Sequence, residues 1–117
     1  LSIFPGAFFI YRNDAEEKII CANEELLRMF ECDDETEFKL LTNNCFRGIV
    51  HPEDYERVTE TIKRQIENSK NNSFDSVRYR IVTKNGRILH VHDYGHLVTN
   101  EYNEKVFYVF LAKDIED

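Results

Sequence analysis

The residue around which chemistry collects in this sequence is a carboxylate in the middle of an alternating strand pattern. In Ile88-Leu89-His90-Val91-His92-Asp93-Tyr94-Gly95-His96, the two-residue period of a strand groups Leu89, Val91 and Asp93 on one face. Ile88, His90, His92, Tyr94 and His96 fall on the other. With Leu89 and Val91 turned to the core, Asp93 turns there too, and Tyr79 and Tyr108 are expected beside it on neighbouring strands. A carboxylate and phenols aimed into an apolar cavity are what orients a small polar ligand. The structural alternatives are Asp93 at a wet strand end or paired with an Arg, and Tyr79 as a core residue whose hydroxyl finds a partner. His90, His92 and His96 share a face, but His90 and His92 lie about 7 Å apart along a strand, His96 is farther still, and no acidic or Cys partner joins them. They read as surface or interface histidines, and no metal site is expected. A small enzyme using Asp93 or Cys45 would need a paired acid and base, a Gly-rich phosphate loop or a nucleophile–base spacing. None is present, and a non-catalytic domain is expected.

The elements that position these residues follow from pattern and turn chemistry. Asp75–Val98 reads as a long hairpin turning at Lys84-Asn85-Gly86, where Asn-Gly suits a type I′ turn with positive φ at both central residues. Val77, Tyr79 and Ile81 share one face of its first arm. Upstream, Ala7–Tyr11 and Lys18–Ala22 read as two short strands joined by a polar turn, with Pro5-Gly6 turning the chain before them. Asn23 caps a helix over Glu24–Phe30, and a short helical turn starts at Asp33-Asp34-Glu35 and runs to about Leu41. Thr42–Val50 is irregular, with room for one helical turn. His51-Pro52-Glu53-Asp54 starts a longer helix in which Tyr55, Val58, Ile62 and Ile66 form one stripe. His51 is expected to cap it. A last strand, Lys105–Ala112, places Val106, Tyr108 and Phe110 on one face and Phe107, Val109 and Leu111 on the other. The fold class is therefore α+β, a five-stranded antiparallel sheet with helices packed on one face.

Bulk composition narrows the class. A chain of 117 residues fits one domain and should bury roughly two-thirds of its unfolded surface. It opens at Leu1 without Met, so it is expected to be a segment of a longer protein. Its 22 acidic and 15 basic residues give a net charge of −7, with no basic run. That balance disfavours nucleic acid, whose phosphates supply most of such binding, and attraction to an anionic membrane. No stretch reads as a membrane span or secretory leader. Cys21, Cys32 and Cys45 are widely spaced, odd in number and without CxxC, and read as reduced thiols in a cytoplasmic domain.

The last strand is apolar on both sides. Ile88, Tyr94, Phe107, Val109 and Leu111 are assigned to the outer sheet face, where they call for a cover. A second copy of the domain or a helix flanking the segment would supply it, so a homodimer is expected. Asp114 and Ile115 follow directly and would carry movement of the sheet onward, with Asp114 paired to a basic residue or capping an outgoing helix.

Taken together, Cys21-Ala22-Asn23-Glu24-Glu25-Leu26-Leu27, Val50-His51-Pro52-Glu53-Asp54, Tyr79-Arg80 before Lys84-Asn85-Gly86, and Lys113-Asp114-Ile115 resemble a PAS domain of the His-Pro-x-Asp subfamily. Glu116 stands where that family usually has Thr. The resemblance covers essentially the whole chain and implies a sensory or dimerising module inside a signalling protein, such as a histidine kinase of a two-component system or a diguanylate cyclase. It implies a pocket between helices and sheet, for which Tyr79, Asp93, Tyr108, Phe30 and Cys45 are the candidate residues. Cys45, after Asn44, is similar to the cysteine of the flavin-binding light sensors of this family. Phe46-Arg47-Gly48-Ile49 departs from their Arg-Phe-Leu-Gln, and Ile81, Val91 and Ala112 stand where their ring-binding amides would be. Haem-binding relatives use a His on or near the long helix, and Pro52–Asn68 has none. Flavin and haem are thus disfavoured, leaving an unknown small molecule or a ligand-free interaction module.

Overall fold

The computed structural model describes residues 6–70 and 72–114. Pro5 and Ile115 lie outside the described residues. In chain order the elements are β1 (Ala7–Arg12), β2 (Ile19–Ala22), α1 (Glu24–Met29), α2 (Glu35–Thr42), α3 (Phe46–Ile49), α4 (Tyr55–Asn68), β3 (Phe74–Val82), β4 (Ile88–Thr99) and β5 (Lys105–Lys113). The strands form one antiparallel sheet in the order β2-β1-β5-β4-β3, so the first and last strands of the chain pair at its centre. Helices cover one face, and the main core lies between them and the sheet.

Local chemistry accounts for the helices. Asn23 is buried and caps α1 by accepting from the Leu26 amide at 3.1 Å. The same oxygen accepts from the Phe8 amide, and the side-chain amide donates to the Gly6 carbonyl, tying α1 to the start of β1. Asp34 caps α2 through the Glu37 amide, while Glu37 reaches back to the Asp33 amide. His51 Nδ1 accepts from the Glu53 amide at 3.0 Å, which caps the turn before α4. The helix itself begins at Tyr55 rather than Pro52. The Asp54 carboxylate does not cap it: it grips Arg80 of β3 through the backbone amide and two guanidinium nitrogens. That grip holds the Asp54 pKa down to about 2. The expected apolar stripe of α4 faces inward, with Val58 and Ile62 buried and Tyr55 and Ile66 packed against the core.

Two expectations are corrected. The hairpin turn is not type I′. Positive φ occurs at Gly86 (84°) but not at Asn85, and the Gly86 amide donates to the Thr83 carbonyl while the Thr83 amide donates to the Arg87 carbonyl. These bonds define a three-residue loop, in which a left-handed glycine follows a right-handed turn. The faces of β5 are also reversed. Phe107, Val109 and Leu111 point into the main core, whereas Tyr108 lies outside and is 40% exposed. Register sets this: Leu111 pairs with Asp93 and Val109 with Gly95, so they share Asp93's inner face. Both sides of β5 are apolar, and no polar residue in its sequence fixes the phase of the alternation.

Candidate functional site

Asp93 occupies the inner face of β4, between Val77 of β3 and Leu111 of β5. It is 1% exposed. The Tyr79 hydroxyl donates to its Oδ2 at 2.6 Å, while Oδ1 has no hydrogen-bond partner. Burial, reinforced by the charge of Asp75, pushes the Asp93 carboxyl far above its usual range, and the Tyr79 hydrogen bond only partly opposes this.

Asp75 is the residue that the sequence reading left out of the site. It lies one strand over, paired with Gly95, and is 6% exposed. Neither of its oxygens has a partner, and burial raises its pKa to about 6. Glycine at position 95 gives the carboxylate its space, since a Cβ there would lie 2.4 Å from Asp75 Oδ2. The signal was present in the sequence: Asp75 continues the Val77, Tyr79 and Ile81 face by the same two-residue step.

Aromatic rings close around these acids. Tyr11 of β1 stacks on Phe46 at 4.4 Å between centroids and 2° between planes, and on Phe107 at 5.1 Å. Phe46 meets Tyr79 edge-on at 6.2 Å. Burial and then the charge of Asp93 raise the pKa of both Tyr11 and Tyr79, so both phenols stay protonated. Beside Tyr11 a cavity of about 410 Å³ opens between α4 and the sheet. Ile62, Ile66, Leu97 and Phe107 supply apolar walls. Glu17, which also borders the cavity, accepts from the Tyr55 hydroxyl at 2.8 Å.

The other predicted residues scatter. Phe30 is buried against Phe38, edge to face at 5.4 Å, and does not border this cavity. Cys45 precedes α3 half-buried, its thiol directed at the Thr42 carbonyl at 3.5 Å, and it too is absent from the cavity wall. Tyr108 points away. Of the residues assigned to the outer face, Ile88 and Tyr94 are there and exposed, whereas Phe107, Val109 and Leu111 are not. His92 lies on the outer face, bonded to Ser76 Oγ at 2.6 Å and stacked on Tyr94, and His96 stacks on Phe74. Among the described residues no group of His, Cys, Asp and Glu is arranged to hold a metal. Ile81 and Val91 are buried, but Ala112 pairs with His92 on the outer face. Leu111 is the inward residue beside it. Asp114 forms an ion pair with Arg78 at 3.3 Å, as its expected basic partner.

The cavity wall is mixed: Asn13, Glu17, Thr59, Lys63 and Glu67 add polar groups of both charge signs to its apolar and aromatic residues, while Asp75 and Asp93 do not border it. Among the described residues no helix is long and apolar enough to cross a membrane.

No curated protein matches the chain. Solved structures do match in fold. A PAS domain from a two-component sensor histidine kinase aligns with a TM-score of 0.71 at 18% identity, covering 97% of this chain and 88% of that one. A PAS domain, in complex with ethanol, of a LuxR-family transcriptional regulator from Burkholderia thailandensis aligns with 0.70 at 15%, covering 99% and 94%. A Rhodobacter sphaeroides LOV protein aligns with 0.72 at 14%, covering 96% and 61%. The family model for the PAS fold (PAS_3) matches residues 19–111. With its sheet order, its helix-covered face and this match over most of its length, the chain belongs to the PAS fold family.

Proposed function

We propose that this domain is a non-catalytic sensory module that takes a small molecule between α4 and the sheet and relays the change to an effector in the same chain. The observation that carries this reading is the cavity of about 410 Å³ beside the Tyr11–Phe46–Phe107 stack; Tyr79, bonded to Asp93, meets Phe46 of that stack edge-on. Occupancy there bears directly on β5 through Phe107, and β5 leads into Asp114 at the end of the sheet. A ligand shifts the output only by its difference in affinity between two states. A histidine kinase or diguanylate cyclase is the class of effector proposed, in the cytoplasm, where Cys21, Cys32 and Cys45 stay reduced; all three are free thiols.

Flavin does not suit the inner sheet face. Ile81, Val91 and Leu111 would meet the polar edge of its ring with no hydrogen-bonding group, at about 1–3 kcal/mol for each group left unsatisfied. A colourless ligand is the proposal. Native mass spectrometry of freshly purified protein, with an absorption spectrum from 300 to 600 nm, tests it. A retained mass of metabolite size without a visible band supports the reading, and a flavin or haem band overturns it.

Dimerisation is the second reading, favoured by the outer sheet face. Phe8, Ile10 and Val106 form a second apolar cluster there, and Ile88, Tyr94 and Tyr108 stand exposed around it. A partner copy covering this face would couple two sheets directly.

A further inference from the structure

We propose that the start of β3 is a proton-controlled latch, held closed against α4 while Asp75 is neutral and released when Asp75 ionises. The proton is then an input in its own right, beside the small molecule of the reading above.

Asp75 is an acid that the fold buries without a counterpart for its charge. Both of its oxygens are buried with no hydrogen-bond partner, and the carboxyl packs directly on Gly95. Buried polar atoms are satisfied as a rule, and an unpaired buried charge is the costliest exception. No cation compensates this one. Among the described residues no Lys, Arg or His acts on the carboxyl. The two arginines of β3 are engaged elsewhere, Arg78 by Asp114 and Arg80 by Asp54. The groups around Asp75 are acidic or neutral: Asp93 of β4, Tyr79 of β3, Tyr11 of β1, Val109 of β5 and Gln65 of α4. Asp93 keeps its proton longer, because burial and then the charge of Asp75 oppose its ionisation. Asp75 therefore titrates first, with burial holding its pKa at about 6.

Position turns this acid into a latch. Asp75 is the second residue of β3, which is an edge strand of the sheet. Gln65 holds that edge: its side chain accepts from the Ser76 amide at 2.7 Å and donates to the Ser76 carbonyl at 2.9 Å. On the outer face Ser76 Oγ bonds to His92, and Phe74 stacks on His96. The way to water is short. Asp75, Gln65, Ser76 and Gly95 border a cleft of about 370 Å³ at this edge, although neither carboxyl oxygen is exposed in it. Peeling back Phe74–Ser76 hydrates the carboxylate and breaks both Gln65 bonds while the central strands stay paired. Gln65 precedes Ile66 of the cavity wall, so release loosens α4 where it borders the ligand cavity.

The closed form holds the proton more tightly, so it loses stability as pH rises through 6. With a pKa of about 6 closed and an ordinary 3.8 open, the ratio of open to closed rises about tenfold from pH 5 to 7.5. His92, whose burial disfavours its protonation, works the other way. A variant that keeps His92 and lacks the acid isolates the effect.

Amide hydrogen exchange followed by NMR on the purified protein tests this, with Ser76 protection at pH 5 divided by that at pH 7.5. The quotient should be about tenfold larger in the parent than in Asp75→Asn, with Ser76 less protected than Val109 of the central strand β5 at both pH values. Asp75→Ala takes the place of Asp75→Asn if circular dichroism shows the latter unfolded. A difference under about threefold between parent and variant, or Ser76 as protected as Val109, overturns the latch. Ligand retention is measured separately, so either result leaves the sensory reading standing.

Discussion

Tyr79 and Asp93 face each other across the β3–β4 ladder with 2.6 Å between hydroxyl and carboxylate, and among the described residues that bond is the only one to the Asp93 side chain. Removing the hydroxyl therefore orphans the second oxygen of a buried acid. Tyr79→Phe should destabilise the domain by about 1–3 kcal/mol, measured by urea unfolding, with no loss of secondary structure. The ring itself still packs against Phe46, so the loss belongs to the hydroxyl.

Asp75 makes the pH dependence of stability unusual for a carboxylate. Its folded pKa, about 6, lies above the ordinary aspartate value of 3.8, so the native state holds the proton more tightly than the unfolded chain. That contribution is complete below pH 4 and is lost as pH rises through 6, amounting to about 3 kcal/mol for a shift of this size. Asp93 acts in the same direction, and the phenols facing them, Tyr79 and Tyr11, stay neutral throughout. Asp54, held down to about 2, works oppositely and withdraws its contribution only in strong acid. His92, whose pKa is lowered by burial, favours the fold as pH rises and offsets part of the Asp75 effect. Unfolding free energy measured from pH 4.5 to 7.5 should fall less steeply in Asp75→Asn than in the parent. Equal slopes would remove Asp75 as the cause.

The loop at residues 84–86 separates two turn types by mutation. Gly86 has φ of 84° and open space around its Cα, so Gly86→Ala meets no clash, only a backbone penalty of about 1 kcal/mol. Asn85 carries no positive φ, and Asn85→Ala should cost less than Gly86→Ala in the same thermal melt. A type I′ turn would penalise both.

How much of this was legible in the sequence depended on whether a residue's surroundings were local. The caps Asn23, Asp34 and His51 act within three residues, and the α4 stripe repeats within one helix, so both were readable. Asp93 was placed correctly because Leu89 and Val91 set the phase of β4. The same test on β5 had nothing to work with, because Phe107 and Tyr108 are both large and apolar enough to face either way. Only the register against β4 decides between them, and that is a long-range property. Asp75 was missed for a different reason. An acid at the start of a strand reads as a solvated end, and its burial follows from Gly95 across the ladder and α4 above it.

The reversed faces of β5 can be tested directly. Phe107 is buried against Tyr11 and the cavity, and Phe107→Ala should cost about 3–5 kcal/mol and weaken whatever ligand the domain retains. Tyr108, next in sequence, lies on the outer face near Phe8, with ring centroids 5.9 Å apart. Tyr108→Ala should cost about 1 kcal/mol or less, since the ring is already 40% exposed. The informative variant is Tyr108→Glu, which places a charge at the edge of the apolar cluster formed by Phe8, Ile10 and Val106. If a second copy covers that face, this change should move the protein from dimer to monomer in sedimentation at micromolar concentration while leaving its melting temperature and retained ligand in place. A parent that sediments as a monomer, or a dimer indifferent to Tyr108→Glu, would assign the association to some other surface.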